Sequence, residues 1–406
     1  MPDSPHHSDH HHEETRAIRI QTPPSGHREH ASSIYMTSSF SFENAEQARA
    51  MFAREIDGNI YSRYSNPSVD EFVAKMTMLE DAEDGLAVAS GMSAVFTGIA
   101  GLLNAGDHIL ASRSVFGSTH QILTQVLPRW GITSSYGAIL EPESWSNLIR
   151  PNTRLCYIET PSNPALDLID LKWLSELCKT HDIILYVDNI FATPILQKPM
   201  HFGADIVMHS ATKYIDGQGR GIGGVIVGKP EYIDKIRFFA RHTGPCLSPF
   251  NGWMFSKSLE TLALRVERHA QSALALAEFL HDHEDVEMIK YPYHPSHPQY
   301  ELARRQMKMG GGVVTFIVKG GIEQGRRFLD ALQMSSLTAN LGDARTIATH
   351  PTSTTHSSLS EEDRLNVGIL PGLIRVSVGL EHVDDIKRDI NRALEESRVA
   401  KTVITQ

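Results

Sequence analysis

The sequence predicts an α/β protein: a large domain on a mainly parallel sheet, followed by a smaller α+β C-terminal domain. Three observations carry this expectation. Short, nearly uninterrupted apolar runs recur between residues 85 and 228. Segments with apolar residues at helical spacing separate them. From about residue 255 the text becomes helical over "FSKSLETLALRVERHAQSALALAEFLHDH", then yields two further strand-like runs. Apolar strands alternating with helices indicate a parallel sheet with both faces covered, because the crossover helices remove both faces from water.

Residues 1–65 read as an N-terminal arm with little core of its own. Its first stretch, about 1–14, is His-rich, with His6, His7, His10, His11 and His12, and is expected to be a disordered, solvated tail without catalytic duty. Residues 66–265 read as the large domain. There "GLAVASGMSAVFTGIAGLL" predicts a strand over 85–90 and a helix from about 92. "DHILASRSVFGSTHQILTQVLPRWG" predicts a strand over 108–112, a turn, and a helix over 117–127. "TRLCYIETPSNP" is a strand with a polar exit, and "DLKWLSELCKTHDIILYVDNIFAT" is a helix followed by a strand over 183–187. "ADIVMHSATK" and "GGVIVGK" add two more strands. Residues 266–406 form the C-terminal domain, with strands in "GGVVTFIVKG" and "LIRVSVG" and a terminal helix after "GLEHVDD".

Composition narrows the function classes. A chain of 406 residues is long enough for two or three domains. A net charge of −10 argues against nucleic acid or an acidic membrane as partner. No run of about 18 apolar residues appears. The N-terminus lacks the apolar stretch of a secretory signal, so the expected location is cytoplasmic. Cys156, Cys178 and Cys246 are odd in number and widely spaced, which suits a reducing compartment and argues against a disulfide framework or a zinc site.

In open α/β sheets, ligands gather at the carboxyl ends of the strands. The sequence places there Gly91 and Met92 at the start of a helix, Phe116 in a turn, Asn163 after "CYIET", Asp188 after "IILYV", and Ser210, Thr212 and Lys213 after "DIVMH". Pyridoxal phosphate requires such a set. Its aldehyde needs a lysine for a Schiff base, which Lys213 can supply. Its ring nitrogen stays protonated beside a buried carboxylate, here Asp188. Its phosphate needs donors without bulk: the exposed amides of Gly91 and Met92, with the hydroxyls of Ser210 and Thr212. Phe116 can stack on the ring, and Asn163 can bond its phenolic oxygen. The run Gly219-Arg220-Gly221-Ile222-Gly223-Gly224 matches a dinucleotide fingerprint, but it follows a loop and leads into a strand, so the mechanical requirement fails.

Six segments, "YSRYSNPS", "SGMSA", "ETPSNP", "VDNIFATP", "SATKYIDGQGR" and "RVSVGLEHVDDI", resemble the pyridoxal-phosphate enzymes of cysteine and methionine metabolism, from about residue 15 to the C-terminus. The resemblance implies the fold type I architecture with a seven-stranded large-domain sheet, and a cytoplasmic homo-oligomer, a dimer of dimers. It implies that Lys213 is the Schiff-base lysine, that Asp188 partners the ring nitrogen, and that Tyr61 and Arg63 reach the cofactor phosphate of a neighbouring subunit. It implies that Arg375 grips the substrate carboxylate and that Asn340 and Thr355 contact substrate. Within the family, "RHTGP", "SPFNGW", "YPYHPSHPQYELARRQM" and "ANLGDARTIATHPTSTTH" look most like the sulfhydrylases that join sulfide to O-succinylhomoserine, in methionine biosynthesis. Many relatives carry tyrosine at the position of Phe116, and several carry serine at that of Asn340; both differences point away from a lyase. Cystathionine γ-synthase, O-acetylhomoserine sulfhydrylase and methionine γ-lyase use the same apparatus and stand as alternatives, with a non-catalytic cofactor-binding protein more remote. Arg113 and Arg220 are the candidate second anchors for a cysteine acceptor.

Overall fold

The computed structural model describes residues 11–354, 361–366 and 368–398. The first ten residues of the His-rich segment, and Thr355, lie outside them.

Seven strands make one sheet: β1 (Asp84–Val88), β2 (His108–Ser112), β3 (Thr133–Gly137), β4 (Thr153–Glu159), β5 (Ile184–Asp188), β6 (Ile206–Ser210) and β7 (Gly224–Gly228). Their order is β1-β7-β6-β5-β4-β2-β3. Strands β2 to β6 run parallel, and β7 is antiparallel to both its neighbours. No helix separates β6 from β7, so the chain turns back instead of crossing over. Apolar side chains fill both faces. Ile158, Val187 and Val207 pack on one side, and Tyr157, Tyr186 and Met208 on the other. The α/β class with a mainly parallel seven-stranded sheet is therefore as expected.

A second sheet comprises β8 (Val286–Lys290), β9 (Val313–Val318), β10 (Ser336–Leu337), β11 (Ile347–Thr349) and β12 (Leu373–Ser377), in the order β10-β11-β12-β9-β8. It is antiparallel apart from the β10–β11 pair. It has its own core around Phe316, Phe328, Ile374 and Leu394. The division we propose at residues 265–266 falls inside the helix Leu262–His281.

Several local expectations differ from the structure for identifiable reasons. The strand expected over 85–90 ends at Val88, because Ser90 is extended and caps the next helix. The helix expected over 117–127 is α-helical only to Gln121; a π turn and a 3-10 turn follow, and Pro128 in the latter has no N–H to continue a helical ladder. The long helical run from 255 is two helices, Pro249–Leu259 and Leu262–His281, broken where Thr261 takes φ −118° and ψ 9°. Strand β3 went unexpected because "TSSYG" is polar and half-exposed at the sheet edge. The arm is stitched to the large sheet's helical layer: the Thr22 amide donates to Glu71 (2.7 Å), the Tyr35 amide to Ser68 (2.9 Å), and the Trp253 indole to the Ser32 carbonyl (2.9 Å). Among the described residues no helix is long and apolar enough to cross a membrane.

Candidate active site

The segments after β4 and β6 meet β12 of the second sheet, with the end of β5 between them. Lys213 sits in the turn after β6, its amide bonded to the Ser210 carbonyl at 3.2 Å. Its Nζ donates to Asn340 Oδ1 at 2.6 Å. Burial, with the Arg375 guanidinium nearby, brings its ammonium down to about 8. Arg375 projects from β12 and is buried. It donates to Asn163 Oδ1 and to the Asn340 carbonyl, each at 3.0 Å, while its Nε is buried with no partner. Asn340 thus links the amine and the guanidinium, and among the described residues neither cation meets a carboxylate directly. A buried donor without an acceptor is costly and calls for an explanation. A carboxylate-bearing ligand supplies one.

Asp188 ends β5, in register with Glu159 at the end of β4. Both side chains are buried. Asp188 Oδ1 accepts from the Ile190 amide (3.0 Å), and its Oδ2 from the Tyr157 hydroxyl (3.3 Å). Burial pushes Asp188 up to about 6, against these hydrogen bonds and the charge of His209. Glu159 is also pushed up, by burial and by Asp188; its Oε2 accepts from the Phe116 amide at 2.9 Å. Two adjacent buried carboxylates resist ionising together. Asp188, with two donors and His209 nearby, is the one equipped to hold charge.

Around them lie the remaining expected residues. Gly91 and Met92 open the helix Gly91–Ala100, whose Ser90 cap accepts from Ser93. The first amides of a helix have no partner inside it. A Cβ on Gly91 would come within 2.6 Å of Ser210 Cβ, so glycine lets the helix start close against the β6 exit. The Thr212 hydroxyl accepts from the Gly223 amide at 3.2 Å. Phe116 is 38% exposed, although an aromatic of its size usually finds cover. Tyr61 and Arg63 stand apart. Arg63 lies over the rings of Tyr61 and Tyr64, 5.5 and 4.8 Å from their centroids, and donates to the Arg241 carbonyl. Among the described residues no contact joins this pair to the strand exits within the chain.

Two expectations shift in detail. Asn163, expected at a ring oxygen, spends its carbonyl on Arg375; Asn340, expected at substrate, holds Lys213. Two residues were missed, Glu159 and Tyr157. Glu159 was legible, since it closes "CYIE" much as Asp188 closes "ILYVD". Tyr157 carried no signal, since an aromatic inside an apolar strand reads as core.

These groups fit pyridoxal phosphate. A lysine amine held by a neutral amide, a buried acid without a direct cationic partner, an exposed aromatic, free helix-start amides and a guanidinium with a spare donor lie at one sheet edge. The comparisons with known proteins agree. Residues 14–395 match the family model for Cys/Met metabolism PLP-dependent enzymes. The chain is 48% identical to an O-succinylhomoserine sulfhydrylase of Pseudomonas aeruginosa, over 94% of each chain. It is 41% identical to an L-methionine gamma-lyase of Treponema denticola, over 90% of this chain and 92% of that one. A solved structure from Campylobacter jejuni superposes with a TM-score of 0.91 at 32% identity, covering 94% of this chain and 99% of the other. That protein is provisionally named an O-acetylhomoserine (thiol)-lyase and was solved with N'-pyridoxyl-lysine-5'-monophosphate. The chain therefore belongs to the Cys/Met metabolism PLP-dependent enzymes, and pyridoxal phosphate is its cofactor.

Proposed function

We propose that this enzyme carries out γ-replacement: O-succinyl-L-homoserine and hydrogen sulfide give L-homocysteine and succinate. The observation that carries the reading is the Lys213–Asn340–Arg375 arrangement. It presents an amine that is partly neutral near physiological pH beside a guanidinium with a spare donor. The choice of ester and thiol rests on similarity to the sulfhydrylase from Pseudomonas aeruginosa.

Bound pyridoxal phosphate supplies an electron sink that lets an amino acid lose protons at Cα and Cβ. The chain's residues do the rest. Lys213 would hold the cofactor by its aldehyde, and its amine would take the substrate's Cα proton as general base. Asn340 aims it: its Oδ1 accepts one ammonium hydrogen and brings no charge that would raise the amine's pKa. Arg375 would bind the substrate carboxylate and so orient the Cα–H bond for proton removal. Asp188 holds the ring nitrogen's proton, with Tyr157 and the Ile190 amide fixing the carboxylate. Phe116 covers one ring face, and Asn163 steadies Arg375. The Gly91 and Met92 amides, with Ser210 and Thr212, receive the phosphate.

The active unit in this proposal is at least a dimer, extending to a dimer of dimers, with Tyr61 and Arg63 reaching the phosphate of a neighbouring subunit. Arg63's planar fork suits bidentate phosphate binding. Cysteine is the harder acceptor, since its own carboxylate and amine need a second charged anchor. Thr355 remains a proposed substrate contact from the sequence alone.

The test is kcat/KM for succinyl and acetyl esters with sulfide, then for sulfide against cysteine with the better ester. A charged contact to the distal carboxylate of succinate predicts a preference of roughly 10-fold or more for the succinyl ester. Cystathionine formed faster than homocysteine at matched thiol would reassign the acceptor. A tenfold preference for acetyl would reassign the donor, on the scale of one such contact. Methionine breakdown as the fastest reaction would move the enzyme to the lyases.

A further inference from the structure

Behind Asp188 lies a buried carboxylate that the proposed mechanism does not use. Glu80 caps the C-terminal end of the helix Pro67–Leu79 and is 0% exposed. Its Oε1 accepts from two side chains, Asn189 Nδ2 at 2.8 Å and His209 Nε2 at 2.5 Å. These occupy equivalent places. Asp188 and Met208 are the last register pair between β5 and β6; Asn189 follows the end of β5, and His209 is the next residue of β6, still paired with β7. One oxygen thus ties the exits of both strands just past their last register pair. The Asn189 amide adds a bond to the Met208 carbonyl at 3.2 Å. Asn189 is locked from its other side: its Oδ1 accepts from Gln197 Nε2 (3.0 Å), and its Nδ2 also donates to the Gln197 carbonyl (2.8 Å).

As mere packing, this arrangement is expensive. Glu80 Oε2 is buried with no hydrogen-bond partner, and His209 is the only ion partner of Glu80 among the described residues. A buried carboxylate is costly unless fully paired, and an apolar side chain of similar volume would fill the space at lower cost. What the carboxylate gains is control of two strand ends. One carries Asp188; the other leads into Ser210, Thr212 and Lys213.

We propose that Glu80 is a positioning residue for the cofactor ring: by bridging Asn189 and His209 it fixes the exits of β5 and β6 and so aims the Asp188 carboxylate at the ring nitrogen. The proposal rests on the assignment of Asp188 to that nitrogen. The charge of His209, which favours ionised Asp188, acts in the same direction.

The test separates ring-nitrogen recognition from general integrity. The full chain is reconstituted with pyridoxal phosphate, or with the analogue whose ring nitrogen is replaced by CH, and both dissociation constants are measured by absorbance titration. The wild-type protein prefers the natural ring by about tenfold or more, the scale of a charge-assisted hydrogen bond. In Glu80→Leu that preference narrows to about threefold or less, most of such a contact being lost. Equal weakening of both ligands, with the ratio intact, would show a structural role only and overturn the proposal. Asp188→Asn is the control. If it keeps the wild-type ratio, the Asp188 assignment itself fails and the inference with it. If it loses the ratio while Glu80→Leu keeps it, only the inference fails. Should Glu80→Leu not fold, Asn189→Ala removes one arm of the bridge and leaves Glu80 on His209; the same narrowing is expected there, and an unchanged ratio overturns the proposal.

Discussion

Among the regions that bury cations, two treat them differently. Beneath the helices Pro67–Leu79 and Pro249–Leu259, Lys75 is 0% exposed and lies 3.5 Å from Glu71 and 3.3 Å from Glu260, with the Ser256 carbonyl at 3.2 Å. Nearby, Arg265 donates to the carbonyls of Tyr214, Ile215 and Ser258 at 2.6 to 3.1 Å. Each charge there meets oxygen, and the Lys75 ammonium meets two carboxylates. At the strand exits, among the described residues, Lys213 meets only a neutral amide, Arg375 keeps an idle Nε, and Asp188 has no cation in contact. Burial brings down the pKa of both lysines, but only at Lys75 do carboxylates oppose it. Folding tolerates buried charge where partners are built in, whereas a site leaves partners out so that a ligand can supply them.

Exchanging the two lysines one at a time probes that contrast most sharply. Lys213→Ala is expected to lower kcat/KM by about 10³-fold or more, with little loss of thermal stability. Lys75→Met leaves the buried Glu71 without its cation, although Glu260 keeps Lys257, and is expected to cost about 3 kcal/mol of stability, while the folded fraction keeps its kcat/KM. Steady-state kinetics beside thermal melts would read both, and a catalytic defect in Lys75→Met at full folding would break the comparison. Next in size, Arg375→Ala should reduce kcat/KM by roughly 30-fold or more, since it removes the proposed charged contact to the substrate carboxylate.

The unmet groups also predict pH behaviour. An amine adds to an aldehyde only in its free form, and Lys213 is the proposed partner of the cofactor aldehyde. Its capture rate in the cofactor-free chain should therefore rise with pH through about 8. A midpoint near 10.4, roughly that of an ordinary lysine, would contradict its burial beside Arg375. Asp188 has a folded-state pKa raised to about 6, so its contribution to stability is present below the unfolded value and lost as pH rises to about 6. Asp188→Asn should accordingly raise Tm of the cofactor-free chain at pH 7 while weakening ring binding; melts of both proteins across pH 4 to 7 check the sign. The smallest change expected is Phe116→Tyr, which adds a hydroxyl beside the proposed place of the cofactor ring. Replacement activity should move by less than about tenfold, the range of a single neutral hydrogen bond. Elimination products should increase, which product analysis would detect.

Much of the fold was legible because its strands are short and apolar and their exits polar. The same contrast marks Lys213, Asp188, Ser210 and Thr212 as candidates from their places in the chain alone. Strand β3 escaped because an edge strand need not be apolar, and the long helical run hid a break because Glu260 and Thr261 are not helix breakers by type. Within the site, sequence supplies residue types at strand ends, not which groups meet across sheets. The link from Lys213 to Asn340 spans 127 residues, and that from Asn163 to Arg375 spans 212. Neither leaves a local pattern. Glu80 was invisible for a related reason: its two partners lie on separate strands, and a glutamate ending an exposed-looking helix reads as surface.

Everything proposed for the site depends on one point: Lys213, buried and bonded to a neutral amide, is the lysine that holds pyridoxal phosphate. The most direct measurement is borohydride reduction of the loaded enzyme, followed by proteolysis and mass spectrometry of the pyridoxyl-labelled peptide. The label is expected on Lys213 alone. A label on Lys75 or any other lysine would contradict that assignment.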